Sequence, residues 1–210
     1  MALYDLVIHG GSIIDGTGNP RVIADVAIKN GKIAAIGKIA PRAGRRALSA
    51  KHRVVAPGFI DLHTHSDQPL VADGNAESKV RQGVTLDVIG ESQTVAPLEG
   101  AVLEEYRAEH RRRNAIETDW TSFTGYFKRL LHDGVSINVA SGVSPQQIKK
   151  IVVGFDERPA TAKERARMNR MAARAMEEGA LGLTAAWHAR GPESPDEVTE
   201  MAKVIKRYGG

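Results

Sequence analysis

The chain contains no cysteine, which excludes disulfides and any thiolate metal ligand. Nor does it hold a run approaching the roughly 18 apolar residues that cross a bilayer. Its first residues, MALYDLVIHGG, have neither a basic n-region nor a long apolar h-region. No membrane partner and a cytoplasmic setting are therefore expected. Charge of one sign is scarce too, with 29 Lys and Arg against 25 Asp and Glu, a formal balance of +4 over 210 residues. The one dense basic run, Arg107, Arg111, Arg112 and Arg113, is interrupted by Glu104, Glu105 and Glu109 and has no interleaved aromatic platform. It reads as a solvated helix face, and no nucleic-acid partner is expected. What the chain has in excess is glycine, 21 residues or one in ten against a usual share of about 7%. That fits many tight turns between short elements, an α/β texture.

Residues 1–53 read as a small β layer of antiparallel strands. Leu6 to Ile8, Ser12 to Ile14, Val22 to Ile28 and Lys32 to Ile36 are its candidates, with a break at Gly10-Gly11. Asn30-Gly31 is the hairpin signal, because both residues tolerate the positive φ of a type I′ turn. From Val54 apolar strand-like runs alternate with helical patterns. Val54 to Leu62, Thr85 to Ile89, Ser136 to Ala140 and Ala180 to Ala186 are the strand candidates. Ser144 with Gln147, Thr161 with Glu164 and Ser194 with Glu197 have capping-box spacing. About four βα units imply parallel strands joined by right-handed crossovers. A full (β/α)8 TIM-like barrel takes about 250 residues, more than 54–210 supplies. A partial barrel in a truncated chain is expected, preceded by a small β-sandwich part at 1–53.

In VVAPGFIDLHTH, period-two alternation puts Asp61, His63 and His65 on one face of a strand. Two imidazoles at i and i+2 suit a divalent metal such as zinc. A bare His-x-His is more often two polar residues at a strand end. Here Pro57-Gly58 starts the strand, Phe59-Ile60 would bury its lower half, and Asp67 with Asp73-Gly74 marks a loop expected above a pocket. The next strand runs into Ile89-Gly90-Glu91, where Glu91 could complete the site. His9, His52, His110 and His132 sit in surface-like contexts and receive no role.

Together DLVIHGGSIIDGTG, ADVAIKNGKIAAIG, VVAPGFIDLHTHSD, RQGVT, IGES and EGALGLT resemble the amidohydrolase superfamily. The branch they resemble is the N-acyl-D-amino-acid deacylases. The resemblance implies a zinc-dependent hydrolase of amide-type C–N bonds acting on a small N-acyl amino acid and releasing a carboxylate and a D-amino acid. It implies His63 and His65 as the metal pair and Glu91 at the position where many members carry cysteine. The metal would polarise the acyl carbonyl and lower the pKa of water to about 7. The family's two further histidines and its catalytic aspartate would lie beyond Gly210, so the 210-residue chain alone is expected to be inactive. Asp61 would be a supporting partner, and His188 a candidate for touching substrate or metal. One alternative keeps the fold and takes a cyclic amide such as a hydantoin. Those relatives carry a barrel lysine, and none stands at the end of the third or fourth strand. Another alternative is a non-catalytic binding protein on a degenerate half-barrel. An open barrel edge would favour self-association.

Overall fold

The computed structural model describes residues 2–185 and 194–210, which fall into two compact units, Met1–Gly58 and Phe59–Gly210.

The first unit holds a single five-stranded sheet, formed by β1 (Tyr4–Ile13), β2 (Val22–Lys29), β3 (Lys32–Gly37), β4 (Gly44–Ser49) and the short β5 (Val54–Val55). Its path is β3-β2-β1-β4, with β5 also on β1. The β2–β3 hairpin turns at Asn30 and Gly31, with φ of 52° and 72°, as a type I′ turn requires. Two expectations need correction. The layer is mixed, because β4 and β5 run parallel to β1. The chain after β3 crosses β1 through a 3-10 turn at Pro41–Ala43 instead of folding straight back. Gly10-Gly11 does not break the strand but forms a bulge within it, where Asp25 Oδ1 accepts the Gly10 N–H at 2.8 Å. The described residues of this unit form one sheet.

The expected strand Val54 to Leu62 is in fact two. Val54–Val55 pairs with β1, and after Ala56-Pro57-Gly58 the chain enters β6 (Phe59–Asp61) of the second unit. Pro57 has no N–H to give a ladder. Phe59 and Ile60 are more than half exposed, so this run does not bury the lower half of the strand.

The second unit continues with α1 (Asp67–Ala72), α2 (Glu77–Val80), β7 (Val84–Ile89), α3 (Gly100–Asn114), α4 (Phe123–Asp133), β8 (Asn138–Ser141), α5 (Pro145–Val153), α6 (Ala162–Glu177) and α7 (Pro195–Ile205). The sheet β6-β7-β8 is parallel throughout. The expected fourth strand at 180–186 is reduced, among the described residues, to a parallel bridge between Val143 and Leu183. Leu181 N–H still donates to Ser141 O at 2.8 Å, and Thr184 N–H to Val143 O at 3.0 Å, so the segment runs beside the extension of β8. Two helices, not one, follow β7. The second, α4, repeats Phe123, Tyr126 and Leu130 on its buried side, an i, i+3, i+7 stripe. These residues pack with Ile89, Leu98, Ile148, Met168, Met201 and Ile205 in one core. No helix among the described residues is long and apolar enough to cross a membrane.

Three N-caps fix the later helices. Thr161 and Ser194 form complete capping boxes with Glu164 and Glu197. Ser144 caps α5, but Gln147 does not return the bond, because its amide is used elsewhere. Glu197 also accepts hydrogen bonds from Lys149 Nζ at 2.8 Å and from the Ala160 N–H at 2.7 Å, both partners being buried.

Candidate metal centre

β6 ends at Asp61, so His63 and His65 lie in the loop beyond it instead of on the strand. The parallel sheet nevertheless delivers this loop and the residues after β7 to the same end. There one donor atom each of His63, His65 and Glu91 lies within 4.8 Å of the other two. His63 Nε2 is paired directly with Glu91 Oε2, and the two imidazole rings meet edge to face with centroids 5.6 Å apart. His63 and Glu91 border a cavity of 290 Å³ closed by Leu62, Val88, Ile89, Thr184 and Ala185. Two imidazole nitrogens and one carboxylate oxygen are a donor set that zinc accepts in catalytic sites. The present residues thus fit a divalent cation by chemistry and by convergence. Among the described residues no other group of three such side chains converges in this way.

Glu91 owes its place to backbone geometry. Gly90 and Ser92 on either side have φ of 95° and 66°, a double left-handed turn that bends the chain sharply as it leaves β7. A Cβ on Gly90 would lie 2.8 Å from Ser141 Oγ and 2.9 Å from Gly142 O, so only glycine fits. Thr184 Oγ1 donates to Gly90 O at 2.6 Å. Beyond Glu91 the loop is clamped by Gln147, whose amide accepts the Thr94 N–H and donates to Thr94 O and Pro97 O, all at 2.9 Å. Tyr106 Oη donates to Thr94 O, and Trp120 Nε1 to Val95 O. A loop with its polar groups paired this way keeps its shape without a neighbouring strand.

Asp61 does not face the donor cluster. Its carboxylate is bonded to Lys79 Nζ at 2.6 Å and accepts the His63 N–H at 3.3 Å, and these two bonds hold its pKa below the usual carboxylate range. Asp67 opens α1, and burial pushes its carboxyl up. Asp73-Gly74 is not above the site. Gly74 O accepts the Ser136 N–H just ahead of β8, which places it at the opposite end of the parallel strands. His110, read as lying in a surface-like context, is buried between Tyr106 and Trp120, with Nδ1 2.7 Å from Thr118 Oγ1 and Nε2 without a hydrogen-bond partner among the described residues. The missed signal was Val102, Tyr106 and His110, each four residues apart. His52 and His132 are exposed. The basic run on α3 is a paired surface, with Arg107 on Glu104, Arg111 on Glu117 and Arg113 on Glu109. His188 lies outside the described residues.

In sequence and fold the chain is similar to proteins described as amidohydrolases. A crystal structure of D-aminoacylase, described as defining a subset of amidohydrolases, superposes with a TM-score of 0.84 at 30% identity, over 99% of this chain and 44% of that one. Several of its relatives bear the names of deacylases of N-acyl-D-amino acids. It is 36% identical over 213 residues to N-acyl-D-glutamate deacylase of Alcaligenes xylosoxydans xylosoxydans, covering 98% of this chain and 42% of that protein. With D-aminoacylase of the same organism it shares 31% over 220 residues, 99% of this chain and 43% of the relative. The N-acyl-D-glutamate deacylase of Bordetella bronchiseptica, solved with zinc and a phosphonate mimic of the tetrahedral intermediate, superposes at 0.82 with 32% identity, over 97% of this chain and 43% of that one. The chain therefore spans less than half the length of these relatives. No family model matches it.

Proposed function

We propose that this chain carries part of the active site of a zinc-dependent N-acyl-D-amino-acid deacylase, with His63, His65 and Glu91 as metal ligands. The observation that carries the reading is the convergence of these three donors at the C-terminal end of parallel strands, in a chain whose homologues bear deacylase names. The three parallel strands, with the bridge at Leu183, are read as the opening strands of a (β/α)8 barrel, whose active sites lie at that end. Zinc held there supplies Lewis acidity toward an acyl carbonyl.

The chain's own residues do the rest of what this part of the site requires. His63 and His65 present imidazole nitrogens, Glu91 presents a carboxylate on a backbone that cannot swing away, and Leu62, Val88 and Ile89 give the cavity an apolar wall. The proton given to the leaving amine needs a positioned acid. None of the three ligands is free for that role, so it falls to a group elsewhere in a protein of the relatives' length.

The test is hydrolysis of N-acyl-D-amino acids, with their L-enantiomers as controls, by a protein extended to that length. Turnover of the D-substrates that stops in His63→Ala and returns with zinc only in the unaltered protein is expected. Zinc-loaded, folded protein that hydrolyses neither enantiomer would refute the deacylase reading.

A further inference from the structure

From Asp61 to Ser66 the chain divides its side chains between two sides. His63 and His65 converge with Glu91, while Thr64 and Ser66, which alternate with them, are bonded to a different set of groups. Thr64 Oγ1 accepts a hydrogen bond from Lys79 Nζ at 2.9 Å. Ser66 Oγ donates one to Asp87 Oδ2 at 2.5 Å. The same ammonium donates to Asp61 Oδ2 at 2.6 Å and stands 3.7 Å from Asp87 Oδ1. Lys79 lies on α2 and Asp87 on β7, so two successive elements grip one short loop.

The charges show how firmly. Asp87 is fully buried and, among the described residues, its Oδ1 has no hydrogen-bond partner, so Lys79 Nζ, 3.7 Å away, is the cation that compensates it on that side. Burying a carboxylate without a counter-charge is costly, and the lysine is therefore held where it is. Its ammonium donates to Asp61 and to Thr64 and stands within ion-pair distance of Asp87. Thr64 sits between the two histidines in sequence, so fixing its side chain fixes the backbone from which both rings project.

We infer that Lys79 is a positioning residue for the metal centre: through Thr64, Asp61 and Asp87 it holds His63 and His65 in the orientation a divalent cation needs. This rests on the metal reading of His63, His65 and Glu91. Partners that orient metal ligands typically change affinity by about 10–100-fold when removed. A lysine that served packing alone would change the stability of the metal-free protein and leave affinity untouched.

The experiment measures zinc affinity by competition with a chromophoric chelator, with far-UV circular dichroism and urea unfolding of the metal-free proteins alongside. The proteins are the unaltered chain, Lys79→Met, Thr64→Val, the double variant, and His63→Ala. Lys79→Met is expected to bind zinc about 10–100-fold more weakly, and Thr64→Val more weakly by a smaller factor. The double variant should be no weaker than Lys79→Met, because both changes break the same link. His63→Ala should lose the site. Folded Lys79→Met and Thr64→Val with unaltered zinc affinity, beside a His63→Ala that loses it, overturn the inference and leave the metal reading intact. Should Lys79→Met not fold, Thr64→Val decides by itself. If the unaltered chain takes up no zinc, the metal reading fails and this inference falls with it.

Discussion

Replacing Gly90 by alanine should damage both the fold and the metal centre, and the structure sets the size of the effect. The residue has φ of 95°, a region that costs an L-residue about 1–2 kcal/mol. Its new Cβ would lie 2.8 Å from Ser141 Oγ, 2.9 Å from Gly142 O and 3.1 Å from Thr94 Cγ2. Overpacking of that kind costs about 1–3 kcal/mol, so the sum is about 2–5 kcal/mol. Gly179 provides the control, since its φ is 101° and an added Cβ would meet only Phe127, at 3.6 Å, an ordinary contact. Gly179→Ala should therefore carry the conformational cost without the steric one. Urea unfolding followed by tryptophan fluorescence reports on Trp120 of the second unit, because residues 1–58 contain no tryptophan. With a slope of about 2 kcal/mol per molar, the midpoint of Gly90→Ala should fall by about 1–2.5 M, and further than that of Gly179→Ala. Zinc affinity should drop in Gly90→Ala and hold in Gly179→Ala, because Glu91 is the next residue. Equal midpoints for the two variants would refute the argument that close approach, and not φ alone, demands glycine at position 90.

Further outcomes follow from other parts of the molecule. Glu91→Gln keeps the shape of the loop and removes a charged ligand, so zinc affinity by chelator competition should fall by more than about 100-fold with little change in unfolding. Glu197→Gln should destabilise by about 3–4 kcal/mol in urea at pH 7, adding a weakened cap to the loss of the carboxylate beside Lys149. Burial raises the Glu197 pKa, but Lys149 and the N–H groups of Ala160 and Ser194 outweigh that and leave it lowered. Its contribution is therefore complete above the unfolded value near 4.5 and is lost as pH falls through the folded one, so the variant and the unaltered chain should converge in acid. Burial lowers the pKa of His110, so stability should decline as pH drops below about 6.5. His110→Phe should lack that limb, and a slope identical in both proteins would remove His110 as its source. Sedimentation of the chain should reveal association that grows with concentration, through the unpaired edge of β6 and its exposed Phe59, Ile60 and Leu62. A monomer at all concentrations would refute this.

What the sequence made legible was whatever depended on near neighbours. The turn at Asn30-Gly31 needed only the conformational tolerance of its own two residues, and the boxes at Thr161 and Ser194 needed partners three positions away. The third box half failed because Gln147 is engaged by Thr94, 53 residues distant, which no local pattern encodes. The parallel course of β4 escaped for the same reason, since strand polarity depends on the path of the connection and not on the residues of the strand. At the proposed metal centre, the convergence of the His-x-His pair with Glu91 was legible, because strand ends of a parallel sheet share one rim. The part played by Lys79 was not, because its partners lie on other elements.

The clamp by Gln147 also orders events in time. Both histidines are synthesised more than eighty residues before the side chain that pins the loop carrying Glu91. A nascent chain therefore displays two imidazoles early, yet lacks the settled carboxylate until α5 has been made and has docked. His63, His65 and Glu91 therefore settle together only after α5 has been made and has docked.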